Sequence, residues 1–286
     1  MKEPMTRPID VQGHRGARAL FPENTIEGFL AASALGVTAF ELDVAMTVDG
    51  VVVVSHDPTL NPDITRDASG AWLTGRGPAI HTLTYAALRR YDVGRIRPGS
   101  RMSLLFPDQV PQDGARIPTL EAVLAALPDA RFTIEVKTDP VHPDRTATPQ
   151  VLADATLAVI DAVGAAGRVI VEAFDWRVQR HVRRMRPDIR LAWLTTADTV
   201  RNAALWWDGV SAGGSVAAAV AVEGGPIWAP DHRDLTAAAV DEAHALGLLV
   251  LPWTVNEPAE MCRLIGWGVD GMISDRPDLA LSVARC

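Results

Sequence analysis

From residue 129 onward the chain repeats one unit, a short β-branched run followed by a longer Ala- and Leu-rich stretch with helical spacing. That rhythm is the signature of parallel strands joined by crossover helices, and it leaves few folds open. Strands are predicted at 132–137, 169–174, 191–195, 227–230, 248–255 and 271–274, with helices at 151–163, 178–185, 235–246 and 258–265. Upstream, 9–13 and 40–46 read as two more strands, with a helix near 25–35 between them. About eight parallel strands is the number that closes a TIM (β/α)8 barrel. The predicted fold is therefore an α/β barrel, a single domain over residues 1–286.

Residues 57–117 do not follow the alternation and form an insertion after the second strand. They are rich in Gly, Pro, Asp and Arg, with one helix expected at 84–91. Barrel insertions of this kind enter through the βα loops, which sit at the catalytic mouth, so the segment is expected near it. It carries eight Arg and no Lys against six Asp, a small positive surplus in an acidic chain. That sign suits an anionic ligand, although charge patterning serves a solvated loop equally well.

Composition narrows the partners. With 286 residues, 48% of them hydrophobic, the chain can bury one large core. A net charge of −8 argues against nucleic acid or an anionic membrane as a partner, because both reward clustered Lys and Arg. An acidic protein that acts on an anion needs a bound cation or a local basic patch. The two cysteines, Cys262 and the terminal Cys286, build neither a disulfide framework nor a thiolate zinc site. The first ten residues show no apolar leader core, and no run reaches the length of a membrane span. A cytoplasmic setting is the simplest expectation; a periplasmic or secreted protein whose leader had been removed would read the same way.

The densest chemistry lies early in the chain. Glu41 and Asp43 stand two apart in an apolar strand and so share a face, which in a barrel strand points inward. Two buried carboxylates side by side repel unless one is protonated or a cation lies between them. Glu135 and Lys137 repeat the spacing at the end of another strand. One such acid alone is as readily a salt-bridged core residue, but three converging carboxylates make an all-oxygen site for a hard cation such as Mg²⁺, Ca²⁺ or Mn²⁺.

His14 ends the first strand and is followed by Arg15 and Gly16. Asp49-Gly50 between two valine-rich runs signals a two-residue hairpin, a register that puts position 56 opposite position 43 and His56 across from Asp43. Two imidazoles beside a cation site and an arginine make a plausible acid–base pair. His81, His142, His181, His232 and His244 lack such neighbours and are read as structural or exposed. Trp253, in phase with Leu251 and Val255, either packs the barrel interior or walls the pocket. Ala217 to Val222 reads as a short buried segment, and Leu104-Leu105-Phe106 as either a loop anchor or the lining of an acyl groove.

Taken together, the segments His14-Arg15-Gly16, Pro22-Glu23-Asn24-Thr25, Glu41-Leu42-Asp43-Val44, Asp49-Gly50 and Val54-Ser55-His56-Asp57-Pro58 occur in the order of a known family. Ile117-Pro118-Thr119-Leu120-Glu121, Glu135-Val136-Lys137, Trp253-Thr254-Val255-Asn256, Asp270-Gly271 and Ser274-Asp275-Arg276-Pro277 continue the series. The chain resembles the glycerophosphodiester phosphodiesterases, members of the phosphatidylinositol-specific phospholipase C-like barrels. The resemblance implies cleavage of a small glycerophosphodiester to glycerol 3-phosphate and an alcohol, with one divalent cation as cofactor. It implies Glu41, Asp43 and Glu135 as metal ligands, His14 and His56 as acid and base, and Arg15 and Lys137 as phosphate ligands, with Trp253 read as a further substrate contact. One departure is Ala173, where the family often carries serine, which puts a hydroxyl contact there in doubt. The alternatives are a lysophospholipase D-like lipid phosphodiesterase, separable by acyl-bearing substrates, and a barrel that binds phosphodiesters without turnover, which should lack at least one catalytic position. Neither the headgroup nor the oligomeric state is legible in the residues.

Overall fold

A computed structural model describes residues 8–211 and 213–285. Cys286 and the first seven residues, on which the cysteine and leader readings partly rest, lie outside that range. Nine strands are present among the described residues: β1 Asp10–His14, β2 Ala39–Met46, β3 Val52–Val54, β4 Arg131–Val136, β5 Val169–Ala173, β6 Arg190–Thr195, β7 Ile227–Pro230, β8 Leu249–Val250 and β9 Gly271–Ser274. Eight of them run parallel in the order β8-β7-β6-β5-β4-β2-β1-β9. The two ends of that path are joined by backbone bonds, Val255 N to Ile273 O at 2.9 Å and Ile273 N to Pro252 O at 3.0 Å. The result is a nearly closed (β/α)8 barrel, as the alternation requires.

Period-two alternation sorts each strand. Phe40, Leu42 and Val44 of β2, Phe132, Ile134 and Val136 of β4, and Val169, Val171 and Ala173 of β5 belong to the large core beneath the helices. Residues of the opposite parity fill the barrel, and they divide into two halves. Ala192, Leu194, Ile227, Ala229, Leu251 and Ile273, from β6 to β9, form an aliphatic cluster together with Ile170. β1, β2, β4 and β5 instead contribute Gln12, His14, Glu41, Asp43, Thr133, Glu135 and Glu172. The polar half is thus built from neighbouring strands, which is what lets its side chains meet.

Three expectations need correction here. The hairpin between β2 and β3 forms, but its loop holds three residues: Thr47 N bonds Val51 O at 3.0 Å, Gly50 takes φ +80°, and Val44 pairs with Val54. The Asp49 carboxylate stabilises this longer loop by accepting from Thr47 Oγ1 at 2.6 Å and from Tyr85 N at 3.0 Å. The register therefore shifts by one, so Ser55 N, and not His56, bonds Asp43 O (2.9 Å). Second, the predicted strand 248–255 is a regular ladder only over Leu249–Val250, and single bonds carry it on against β7, Leu251 N to Trp228 O at 2.9 Å and Trp253 N to Pro230 O at 3.1 Å; on the side of β9, Pro252 has no N–H to donate. Third, Ala217 to Val222 lies within a helix, Val216–Val222, which buries Ala217, Ala219 and Val220 and leaves Val222 exposed.

The insertion has a small core of its own, in which Leu60, Ile80, Leu88, Val93 and Ile117 pack on Val53 of the hairpin. Its arginines serve that unit: Arg66 pairs with Asp92 and Asp113, and Arg95 with Asp113. No residue of 57–117 lines the central cavity. None of the eight arginines of the insertion therefore lines the cavity in which an anionic ligand would sit.

Candidate active site

A cavity of about 480 Å³ opens at the carboxyl ends of the barrel strands. His14, Arg15, Arg18, Glu41, His56, Glu135, Lys137 and Glu172 line its polar side, and Phe174, Leu194, Trp253 and Ile273 its apolar side. Strand register explains the grouping. His14 lies beside Glu41 across β1 and β2, while Asp43, Glu135 and Glu172 occupy one row across β2, β4 and β5. Glu41, Asp43 and Glu135 each offer an oxygen within 4.8 Å of the others.

So many carboxylates in one buried site cannot all ionise at ease. Burial pushes Glu41 well above the usual carboxylate range, and Asp43 and Glu172 add to the effect. Burial likewise raises Glu135 to about 7, against the pull of Lys137. Glu172 is raised by burial and by its neighbours Glu135 and Asp43. Asp43 goes the other way: burial alone would raise it, but Arg15, His56 and Lys137 outweigh that and hold it ionised. Asp43 Oδ1 and Glu172 Oε2 are buried without a hydrogen-bond partner. A hard cation among Glu41, Asp43 and Glu135 fits this donor set, since it would satisfy the orphaned oxygen and relieve the repulsion.

The loop after β1 clamps the cluster. Gly13 lies so close to Gly16 that an added Cβ would stand 1.9 Å from the Gly16 carbonyl oxygen. Arg15 and Asn24 both adopt left-handed backbone, φ 51° and 54°, and Asn24 N bonds Arg15 O at 3.0 Å. Side chains other than glycine adopt that conformation only where the surroundings enforce it. Here it lets Arg15 N donate to Glu41 (3.2 Å) and Asn24 Nδ2 donate to Asp43 (3.0 Å). Arg15 Nη1 donates to Glu23 at 2.9 Å and its Nε lies 3.3 Å from Asp43. Lys137 Nζ is 2.9 Å from Glu135 and 3.6 Å from Asp43.

Each histidine is held by a carboxylate that is itself held by an asparagine. His14 Nδ1 is 2.5 Å from Asp275 Oδ1, and Asp275 accepts from Asn256 Nδ2 at 2.8 Å. His56 Nδ1 is 2.7 Å from Asp57, which accepts from Asn61 Nδ2 at 2.9 Å. An ionised carboxylate only accepts, so the Nδ1 proton is fixed on both rings and each Nε2 is left free for other work. For His14 that atom lies 3.7 Å from Glu41. Burial lowers both imidazoles; His56 falls to about 4, with Arg15 and Lys137 pressing in the same direction.

All eight residues nominated from the sequence, His14, Arg15, Glu41, Asp43, His56, Glu135, Lys137 and Trp253, therefore meet in or beside one cavity. Trp253 walls it: the indole N–H donates to Ala229 O at 2.9 Å and the ring meets Phe174 edge-on at 5.4 Å. His232, expected to be structural or exposed, lines the same cavity, with Nδ1 3.1 Å from Glu260. Glu172 was missed although its lone acidic position in an apolar strand is the signal that revealed Glu135. Asp275 and Asn256 stand out in the sequence only as parts of the motifs Ser274-Asp275-Arg276-Pro277 and Trp253-Thr254-Val255-Asn256. Ala173 faces the helix layer, so a serine there would not reach the cavity along this strand. Leu104 and Leu105 are exposed and Phe106 is buried, and none of the three lines the cavity.

Fold and site together define a (β/α)8 barrel with an acidic cluster and two carboxylate-held histidines at its mouth. The family model of the glycerophosphoryl diester phosphodiesterases matches residues 14–279. A glycerophosphodiester phosphodiesterase of Bacillus subtilis is 30% identical over 279 residues, which cover 95% of this chain and 85% of that protein. A solved Silicibacter pomeroyi chain assigned to the same family superposes with a TM-score of 0.89 at 36% identity, over 97% of this chain and 93% of the other. An Oleispira antarctica phosphodiesterase, solved with the product sn-glycerol-3-phosphate, shares the fold at a TM-score of 0.74 and 19% identity, over 97% of each chain. The present chain belongs to the glycerophosphoryl diester phosphodiesterase family, and its activity is that of a glycerophosphodiester phosphodiesterase.

Proposed function

We propose that the enzyme releases glycerol 3-phosphate and an alcohol by acid–base catalysis from His14 and His56, with one divalent cation held by Glu41, Asp43 and Glu135. Bound there, Mg²⁺, Ca²⁺ or Mn²⁺ supplies Lewis acidity toward a phosphate oxygen. Arg15 and Lys137 hold the remaining phosphate oxygens and offset the charge that builds on them as the ester breaks. One imidazole Nε2 takes the proton from the attacking hydroxyl, and the other delivers a proton to the departing alcohol oxygen. The attacking group is the free glycerol hydroxyl beside the ester, already held in place, and water then opens the cyclic phosphate with the same pair of histidines. Trp253 and Phe174 give the apolar part of the substrate a wall. A product-bound relative, the Oleispira phosphodiesterase, supports a small glycerophosphodiester as the ligand.

The observation that carries this reading is the matched orientation of the two histidines, each tied through Nδ1 to an asparagine-backed carboxylate beside one cavity. His14→Ala and His56→Ala are each expected to lower kcat by at least roughly 100-fold, the usual contribution of a positioned acid or base. Unaltered thermal melting would show that folding is intact. A wild-type rate in either variant would remove that residue from the mechanism.

A further inference from the structure

Besides histidines, four basic side chains among the described residues line the cavity: Arg15, Arg18, Lys137 and Arg233. Three of them are committed to carboxylates by hydrogen bonds, Arg15 to Glu23 (2.9 Å), Lys137 to Glu135 (2.9 Å), and Arg233 to Asp231 through Nε at 2.9 Å and Nη2 at 2.5 Å. Arg18 differs. Its guanidinium donates no hydrogen bond to any described residue, although only 16% of the side chain is exposed and Nε is fully buried. The nearest carboxylates are Asp275 at 3.3 Å from Nε and Glu23 at 3.9 Å from Nη1. These attract the charge without satisfying the donors.

Arg18 is nevertheless held firmly. Gln109 Nε2 donates to its carbonyl at 2.7 Å, Ala19 N bonds Asp275 O at 3.3 Å, and the Phe106 ring lies 4.6 Å from the guanidinium carbon. The insertion thus fixes Arg18 against the rim of the cavity. A nearly buried cation with idle donors is costly unless a ligand completes them. Its two flanking carboxylates locate it: Glu23 also binds Arg15, and Asp275 also binds His14. Arg18 therefore stands between the arginine read as a phosphate ligand and one of the two histidines.

We infer that Arg18 is a substrate-binding residue whose N–H fork contacts the phosphate group of the glycerophosphodiester and of its product. The inference rests on the phosphodiesterase reading above. Guanidinium geometry matches paired phosphate oxygens, which an ammonium at that place would contact only as a point charge.

The test compares wild type, Arg18→Gln and Arg18→Lys in metal-supplemented hydrolysis of glycerophosphocholine, with sn-glycerol 3-phosphate as competitive inhibitor. Loss of a charge-assisted contact predicts KM and the inhibition constant both raised roughly 10- to 100-fold in Arg18→Gln, with kcat little changed. Arg18→Lys is expected to fall between, and it carries the test if the glutamine variant does not fold. Unchanged KM and inhibition constant beside a fully active wild type would overturn the contact alone. A fall in kcat with an unchanged inhibition constant would also overturn it, by showing that Arg18 acts only through Asp275 on His14. An inactive wild type would sink the phosphodiesterase reading itself, and this contact with it.

Discussion

Asp275 and Asp57 orient one histidine each, but from different surroundings. The Asp275 side chain is 6% exposed and that of Asp57 37% exposed. His14 and Arg18 outweigh the effect of burial and hold Asp275 down at about 2, so it is ionised under all working conditions. A buried charge next to an imidazole stabilises the protonated ring far more than one facing water. Asp275→Asn should therefore lower kcat by something on the order of 100-fold, and Asp57→Asn by clearly less. Equal losses in steady-state assays would show that burial is not what distinguishes them. Glu135 gives a second prediction. Its carboxyl rises from 4.5 to about 7 on folding, so the metal-free chain is stabilised by that group while it is protonated and loses this stability as pH climbs through that window. Glu135→Gln cannot ionise. In EDTA its melting temperature should match wild type at pH 4.5 and exceed it increasingly up to pH 7; a pH-independent difference would contradict the assignment. At this scale the sequence was informative where chemistry repeats at short spacing, as in Glu41-Leu42-Asp43 and Glu135-Val136-Lys137. It was silent where partners are distant, since His14 and Asp275 are 261 positions apart.

Strands were easier to place than their registers. Short β-branched runs place β2, β4, β5, β6, β7 and β9 to within a residue, because a parallel barrel strand is buried on both faces and so reads as a continuous apolar run. The hairpin was foreseen from Asp49-Gly50, but the one-residue error in its loop reversed which residue opposes Asp43. Loop length there depends on the Asp49 contact with Tyr85 N, 36 positions away, which no local turn rule contains. Short helices such as Leu120–Ala126 and Pro277–Val283 were missed for a related reason: seven residues hold too little periodicity to read. The β1 end and its loop carry the element-scale prediction. Gly13→Ala forces a methyl against the Gly16 carbonyl, an overpacking of about 1–3 kcal/mol or more that only a backbone shift can relieve. Because His14 and Arg15 follow directly, the variant should melt several degrees lower and lose most of its kcat. Wild-type melting and rate would show that the loop tolerates a different path.

For the molecule as a whole, the barrel interior is divided between an aliphatic half that stabilises the fold and an acidic half that does not. Grouping Glu41, Asp43, Glu135 and Glu172 in one buried site opposes folding of the metal-free chain, and a cation bound there only in the folded state would reverse this by mass action. The sequence made the barrel legible through its alternation and its charge cluster through strand parity. The division of labour inside the insertion was not legible, because arginines that pair with Asp92 and Asp113 look the same in sequence as arginines facing a ligand. Among the described residues no helix is long and apolar enough to cross a membrane. The most direct test of the account is release of glycerol 3-phosphate from glycerophosphocholine and glycerophosphoethanolamine, first in EDTA and then with Mg²⁺, Ca²⁺ or Mn²⁺ returned. Release that stops in EDTA and resumes with an ion, at ion concentrations that also raise the melting temperature, is the predicted result. Undiminished release in EDTA would contradict the cation site, and no release under any condition from folded protein would contradict the phosphodiesterase reading.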